Sequence, residues 1–178
     1  MHRLFVALRP PIEIREACLG AMEDGPGGWA WQADEQLHIT LRYIGEVERP
    51  LAEDIAAEIE GLRAAPLEMA LAGVGWFDHG PRGALFARVA PKEPMEALHE
   101  KVDRALVRIG LRPERRAFLP HITLARRRRS SEDPADWLAL RAGLSSPAAE
   151  CAHLTLYESY LGREGSTYEP ILRVPLEG

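Results

Sequence analysis

A mixed strand-and-helix fold of two related lobes, facing each other about a pseudo-twofold axis, is what this sequence predicts. Three observations predict it. Hydrophobic periodicity alternates between strand and helix along the whole chain, and matched signals recur 81 to 83 residues apart. The tetrad His38-Ile39-Thr40-Leu41 also returns unchanged as His121-Ile122-Thr123-Leu124. With 178 residues, 46% of them hydrophobic, the chain can form one domain or two small lobes sharing a cleft. At that length roughly two-thirds of the unfolded surface is buried and no staple is needed.

The elements follow in order. Leu4, Phe5, Val6 and Leu8 form a short apolar run, so residues 2–8 read as a strand. Pro11, at the position helices favour for proline, opens a helix to about residue 22, and 25–28 is a glycine-rich loop. Residues 37–44 alternate as a strand, and a second helix runs from Pro50 to about residue 64. Residues 67–77 and 84–89 form a strand pair joined by the turn-rich Asp78-His79-Gly80-Pro81-Arg82-Gly83. The second half repeats this order. A helix over 94–109 carries Met95, Leu98, Val102, Ala105, Leu106 and Ile109 on one face. A strand follows over 121–125, then a short helix over 134–142 and closing strands over 149–161 and 168–174.

Direct comparison of the halves strengthens the duplication. Leu4-Phe5 with Pro10 matches Leu85-Phe86 with Pro91, 81 residues later, and the tetrads lie 83 apart. After each tetrad another strand comes about thirty residues on, near Met69 and near Cys151. The expected organisation is a single two-lobed domain over 1–178, with repeat units over about 1–77 and 84–161 and a closing strand over 168–174.

Composition bounds the compartment and the partners. Cys18 and Cys151 sit in apolar surroundings without metal-ligand spacing, as buried free thiols do in a reducing compartment. The first residues lack the apolar length and small-residue site of a signal peptide, and no stretch reaches the ~20 apolar residues of a membrane span. A soluble, cytoplasmic monomer without membrane contact is expected. The net charge is −5, but residues 108–129 hold eight arginines (108, 112, 115, 116, 126, 127, 128, 129) and one acid, Glu114. That segment is +7, which leaves −12 on the remainder. A basic stripe on an acidic body attracts a polyanion locally while repelling nonspecific nucleic acid; a solvated arginine loop is the plainer alternative.

The doubled His-x-Thr carries the chemistry. Residues two apart on a strand share a face, so His38 sides with Thr40 and His121 with Thr123. Two symmetric lobes would bring both pairs to one polar cleft. Opening a ribose cyclic phosphate needs a base for the attacking water and an acid for the departing ribose oxygen, on opposite sides of phosphorus. Two imidazoles on facing walls suit that task, since imidazole titrates near neutral pH. Threonine hydroxyls can donate to the nonbridging oxygens, and Arg126, three residues past Thr123, is the nearest fixed cation. A single His-x-Thr would more simply be a half-buried strand histidine bonded to a backbone carbonyl. Metal ligation is the sharper competitor, but threonine is a poor ligand and no acid lies within five residues of His121. No metal or cofactor is therefore expected. His2, His79 and His99 have no motif context and read as structural, His99 on a helix surface.

At these residues the chain resembles the RNA 2′,3′-cyclic phosphodiesterase (2′-5′ RNA ligase) family of the two-histidine phosphoesterase superfamily. The resemblance runs from Arg3-Leu4-Phe5-Val6-Ala7 through Leu37-His38-Ile39-Thr40-Leu41 with Gly45-Glu46. It continues over Gly73-Val74-Gly75 with Phe77, then Phe118 and Pro120-His121-Ile122-Thr123-Leu124-Ala125-Arg126, and closes on Glu158-Ser159 and Gly165 with Tyr168. It implies an α+β fold whose mainly antiparallel sheets face a central cleft, with helices outside. It also implies metal-independent opening of RNA 2′,3′-cyclic phosphate ends, tRNA fragments among them, to 2′-phosphates, with 2′-5′ joining as a reverse activity. In family terms His38 is the general acid and His121 the general base; Thr40, Thr123 and Arg126 bind phosphate, and Tyr43, Phe118, Arg127 and Arg128 are candidate RNA contacts. Two other readings share the residues: a phosphodiesterase for a small nucleotide, such as an ADP-ribose cyclic phosphate or a 2′-5′ oligonucleotide, and a non-catalytic RNA-end-binding module. One departure from the pattern is a third His-x-Thr, His153-Leu154-Thr155, in the closing strand, where the family has no catalytic histidine.

Overall fold

The computed structural model describes residues 1–177. Its strands are β1 (His2–Leu8), β2 (Ala30–Trp31), β3 (Ile39–Val47), β4 (Leu67–Phe77), β5 (Ala84–Ala90), β6 (His121–Arg126), β7 (Ala149–Cys151), β8 (His153–Gly162) and β9 (Gly165–Pro175). Its α-helices are α1 (Ile12–Met22), α2 (Arg49–Glu60), α3 (Lys92–Arg108) and α4 (Ala135–Leu140). The strands build two sheets, ordered β3-β1-β8-β9 and β2-β6-β5-β4-β7. Every strand pairing is antiparallel.

The two sheets exchange strands. The first half supplies β1, β3 and β4, but β4 leaves to pair with β5 in the other sheet. The second half supplies β5, β6 and β8, and β8 crosses back to pair with β1. Each sheet therefore holds strands from both halves of the chain, β1 and β3 with β8 in one, β5 and β6 with β4 in the other. The two motif strands, β3 and β6, approach one another where the sheets meet.

Amphipathic patterning explains the packing. Helix α3 buries Met95, Leu98, His99, Val102, Ala105 and Leu106, a stripe at helical spacing that covers β3. His99 thus lies beneath the helix rather than on its surface: its Nδ1 donates to the Leu41 carbonyl at 2.6 Å and its ring stacks on Phe118 at 4.6 Å. Helix α1 buries Ile14, Cys18 and Ala21, and Trp137 of α4 donates from Nε1 to the Ala21 carbonyl at 2.9 Å. Both thiols are buried, which pushes Cys18 up to about 12. One continuous apolar core runs between helices and sheets. A small separate cluster of Phe5, Ala7, Tyr157 and Tyr168 covers the opposite face of the first sheet.

The expected closing strand over 149–161 is interrupted at Ala152: β7 extends the second sheet beside β4, and β8 belongs to the first. The two-residue β2 carries too little pattern to be read from sequence. Among the described residues no helix is long and apolar enough to cross a membrane.

Candidate active site

Both histidines are oriented alike. His38 Nδ1 donates to the Gln36 carbonyl at 2.7 Å, and His121 Nδ1 donates to the Leu119 carbonyl at 2.7 Å. A carbonyl only accepts, so each ring carries its proton on Nδ1 and leaves Nε2 as the atom that can exchange one. Each ring is also held by two aromatics. His38 meets Phe5 at 4.9 Å and the edge of Tyr168 at 5.1 Å; His121 meets Phe77 at 5.2 Å and Phe86 at 5.3 Å. Phe5 and Phe86 are equivalent under the 81-residue offset.

A β-bulge in each motif strand decides what else faces the cleft. In β3 the register passes from Ala7↔Thr40 to Val6↔Arg42, leaving Leu41 unpaired; in β6 it passes from Phe86↔Thr123 to Leu85↔Ala125, leaving Leu124 unpaired. An extra residue resets the alternation of faces. The third residue after each threonine, which simple alternation would turn away, therefore returns to the threonine's side. That residue is Tyr43 in the first half and Arg126 in the second. The bulge carbonyls are satisfied by different partners: His99 Nδ1 donates to that of Leu41, and the Gln32 amide donates to that of Leu124 at 2.8 Å.

The resulting cleft, about 220 Å³, is lined by His38, Thr40, Tyr43 and Arg126 together with Arg3, Phe5, Ser159, Ser166 and Tyr168; His121 and Thr123 stand outside this lining, with His121 close enough for its charge to act on His38. Tyr43 stands at its mouth, 55% exposed. Burial pulls His38 down to about 4, and the nearby charges of Arg126, His121 and Arg9 act the same way against the opposing hydrogen bond to Gln36. Burial also lowers His121, again with help from Arg126. Both imidazoles are thus neutral in the free protein at neutral pH. Arg88 pairs across the strands with His121, on the same face of β5 as Phe86. Among the described residues no group of three or more His, Cys, Asp or Glu side chains is arranged to hold a metal ion.

Several candidates from the sequence lie elsewhere. Phe118 does not line the cleft; it packs on His99 against the core. Arg127 is bound to Asp78 at 2.8 Å, with its guanidinium over Trp76 at 4.9 Å and Trp29 at 5.5 Å, a structural use of its charge. The eight arginines do not form one stripe. Arg108 pairs with Glu58 on α2 at 3.0 Å, Arg116 lies among Glu96, Glu100, Asp103 and Glu114, Arg127, Arg128 and Arg129 line a separate concavity, and, of the eight, Arg126 lines the cleft. His153 is exposed, while Thr155 and Tyr157 on its strand are buried. His2 pairs with Glu158 at 2.8 Å and His79 stacks on Phe77 at 5.8 Å.

Arg3, Phe5, Phe77, Phe86, Arg88, Ser166 and Tyr168 are the site residues that spacing alone did not single out. Phe5 and Phe86 could have been found from the duplication, being matched residues one strand away from matched histidines. Tyr168 and Phe77 could not, because the strands that carry them are not equivalent.

The model of the 2′-5′ RNA ligase superfamily matches residues 13–163. The chain belongs to this superfamily. It is 32% identical over 145 residues to the RNA 2′,3′-cyclic phosphodiesterase of Aeropyrum pernix, a match covering 79% of this chain and 82% of that one. The fold is similar to that of TT0787 of Thermus thermophilus, with a TM-score of 0.85 at 25% identity over 99% of this chain and 98% of that chain. It is also similar to E. coli LigT complexed with 3′-AMP, with a TM-score of 0.79 at 25% identity over 99% of each chain. The α+β architecture with antiparallel sheets is that of its superfamily neighbours.

Proposed function

We propose that this protein opens RNA 2′,3′-cyclic phosphate ends to 2′-phosphates by acid–base catalysis between His121 and His38, without a metal. The observation that carries this reading is the pair of imidazoles held in the same tautomer by carbonyls two residues upstream, with no partner on either Nε2 among the described residues. His121 Nε2 takes a proton from water as the water oxygen bonds to phosphorus. The P–O3′ bond breaks, and His38 Nε2–H protonates O3′. Thr40, Thr123 and Arg126 donate to the nonbridging oxygens as charge builds on them. The division of labour between the histidines follows the family resemblance.

A general acid must arrive protonated, and the free site holds His38 neutral at neutral pH. The substrate supplies the missing charge. An anionic cyclic phosphate beside Nε2 favours imidazolium and offsets Arg126, so His38 takes up its proton with the substrate. If the 5′-hydroxyl of a second RNA attacks in place of water, the same proton transfers form a 2′-5′ linkage as O3′ leaves; ligation is thus the parallel displacement, and its own reverse is cleavage of a 2′-5′ bond to the cyclic phosphate.

The test is incubation in excess EDTA with the four nucleoside 2′,3′-cyclic phosphates and a short cyclic-ended RNA, with product identification. The expected product is the 2′-phosphate in both cases. A 3′-phosphate, or a rate that vanishes in chelator and returns with a divalent ion, overturns the mechanism.

A further inference from the structure

A larger concavity, about 700 Å³, opens where β6 ends, lined by Trp76, Arg127, Arg128, Arg129, Glu132 and Asp133 among others. It meets the cleft only through the chain: Arg126 lines the cleft, while Arg127 and Trp76 face the other side of the sheet, so the groove opens around the end of β6. At ~3.3–3.6 Å per extended residue, Arg128 and Arg129 are rooted no more than roughly 7–11 Å along the chain from Arg126.

The groove is preformed. Residues 130–133 are stitched to 27–29 by the Glu132 amide on the Gly27 carbonyl (3.0 Å) and by Trp29 Nε1 on the Glu132 carbonyl (2.9 Å). Gly28 has φ +79°, and a Cβ there would meet the Ser130 carbonyl oxygen at 2.0 Å, so the two segments are in backbone contact. The acids in the wall have partners: the Glu132 carboxylate accepts from the Gly27 amide at 3.1 Å and Asp133 from the Ala135 amide at 3.0 Å. Arg127 is committed to Asp78. The exposed guanidinium groups of Arg128 and Arg129 form no ion pair among the described residues. Trp76 is half-buried, lines the groove and carries the Arg127 guanidinium over its ring at 4.9 Å.

We propose that this groove is a second subsite that holds the RNA backbone upstream of the cyclic end, with Arg128 and Arg129 on phosphates. The inference rests on the hydrolysis reading, because it is the reacting 3′ end in the cleft that directs the rest of the strand here. Charge commits the groove to a polyanion: on a molecule of net charge −5, its lining sets three arginines against Glu132 and Asp133, and of the three Arg128 and Arg129 have no ion-pair partner among the described residues.

The test compares kcat/KM for a cyclic-ended single-stranded oligonucleotide with that for the matching nucleoside 2′,3′-cyclic phosphate, across salt concentrations. The wild type should prefer the oligonucleotide, and the preference should fade as salt rises. Arg128→Gln/Arg129→Gln should lower the preference on the order of tenfold at low salt and flatten the logarithmic salt slope by roughly 1.4, the value for two single-strand phosphate contacts. Arg128→Lys/Arg129→Lys should keep most of the slope, and the remote Arg49→Gln should leave it intact. A preference and slope in the glutamine variant equal to the wild type's overturn the proposal. Fluorescence anisotropy of the same labelled RNA, ended in a 2′-phosphate, separates the two readings. If the wild type turns over neither substrate, hydrolysis fails as a reading, while weaker salt-dependent binding by the glutamine variant still supports the groove and equal binding rejects it.

Discussion

Replacing either histidine by alanine removes one of two proton transfers, so His38→Ala and His121→Ala should each lower turnover by about 10²–10⁴. The double variant should lose little more, because acid and base act as a unit. Thr40→Ala and Thr123→Ala should cost less, each leaving acid and base in place. His153 is exposed on β8 away from the cleft lining, so His153→Ala should change turnover by less than about tenfold, or ~1.4 kcal/mol. Equal damage at His153 and His121 in folded variants would mean that the wrong pair has been assigned. The lowered imidazoles set the pH dependence. kcat/KM reports the free protein, where burial favours the neutral form of both rings, so its bell should peak below imidazole's ordinary 6.5. kcat reports the complex, where the phosphate raises His38, and its optimum should lie at higher pH. Coincident optima would reject the idea that substrate charges the acid. At this scale the sequence was most legible where chemistry repeats: His38, Thr40, His121 and Thr123 stand out by identity alone. Phe118 and Arg127 misled because an aromatic or an arginine near a motif looks the same whether it meets ligand or, as here, His99 and Asp78.

Among the elements, the bulged strands β3 and β6 have the largest effect on the site. Strand periodicity located both, but the bulges were invisible, since an extra residue leaves the hydrophobic pattern almost unchanged when it is a leucine that is itself buried, as Leu41 and Leu124 are. Arg126 was expected beside the reacting phosphate on grounds of proximity; it lines the cleft, yet strict alternation would have turned it away from Thr123. The bulge in β3 depends on a buried side chain: His99 is the donor to the Leu41 carbonyl. His99→Phe should keep the stack on Phe118 but strand that carbonyl, at a cost of about 1–3 kcal/mol in denaturant unfolding and with a loss of turnover. His99→Asn, which can present an amide N–H, should recover part of both; if it recovers stability alone, the bulge does not set the geometry of the first motif. Gly75 is a second element-level constraint, since a Cβ there would meet Phe86 at 2.6 Å and Arg88 at 2.9 Å. Gly75→Ala should therefore displace Phe86 from His121 and lower turnover, a change that the crystal structure of the variant would show as a moved ring. An unmoved Phe86 with normal activity would remove Gly75 from the account.

For the molecule as a whole, two half-buried imidazoles that favour the neutral form tie stability to pH. Their folded pKa values lie below the unfolded value near 6.5, so the unfolded chain binds more protons on the way down from that pH, and acid must favour unfolding. For His38 alone, from about 6.5 to about 4, the loss approaches roughly 3 kcal/mol. His38→Asn should flatten the fall in unfolding free energy over that window; an unchanged pH slope would show that the ring is not buried neutral in solution. The order of elements could be read from the sequence, but the exchange of β4 and β8 could not, because a strand's own pattern does not name its neighbour. That exchange has a consequence for how such a site can arise. A solitary unit with β1, β3 and β4 would leave an open sheet edge beside β1, and two copies lending each other the closing strand would make a domain-swapped, twofold symmetric dimer with identical walls. Joining the copies in one polypeptide keeps the interlock but lifts the demand for identity. The two walls can then specialise, and here they have: at the position each bulge turns inward, one wall offers the ring of Tyr43 and the other the guanidinium of Arg126.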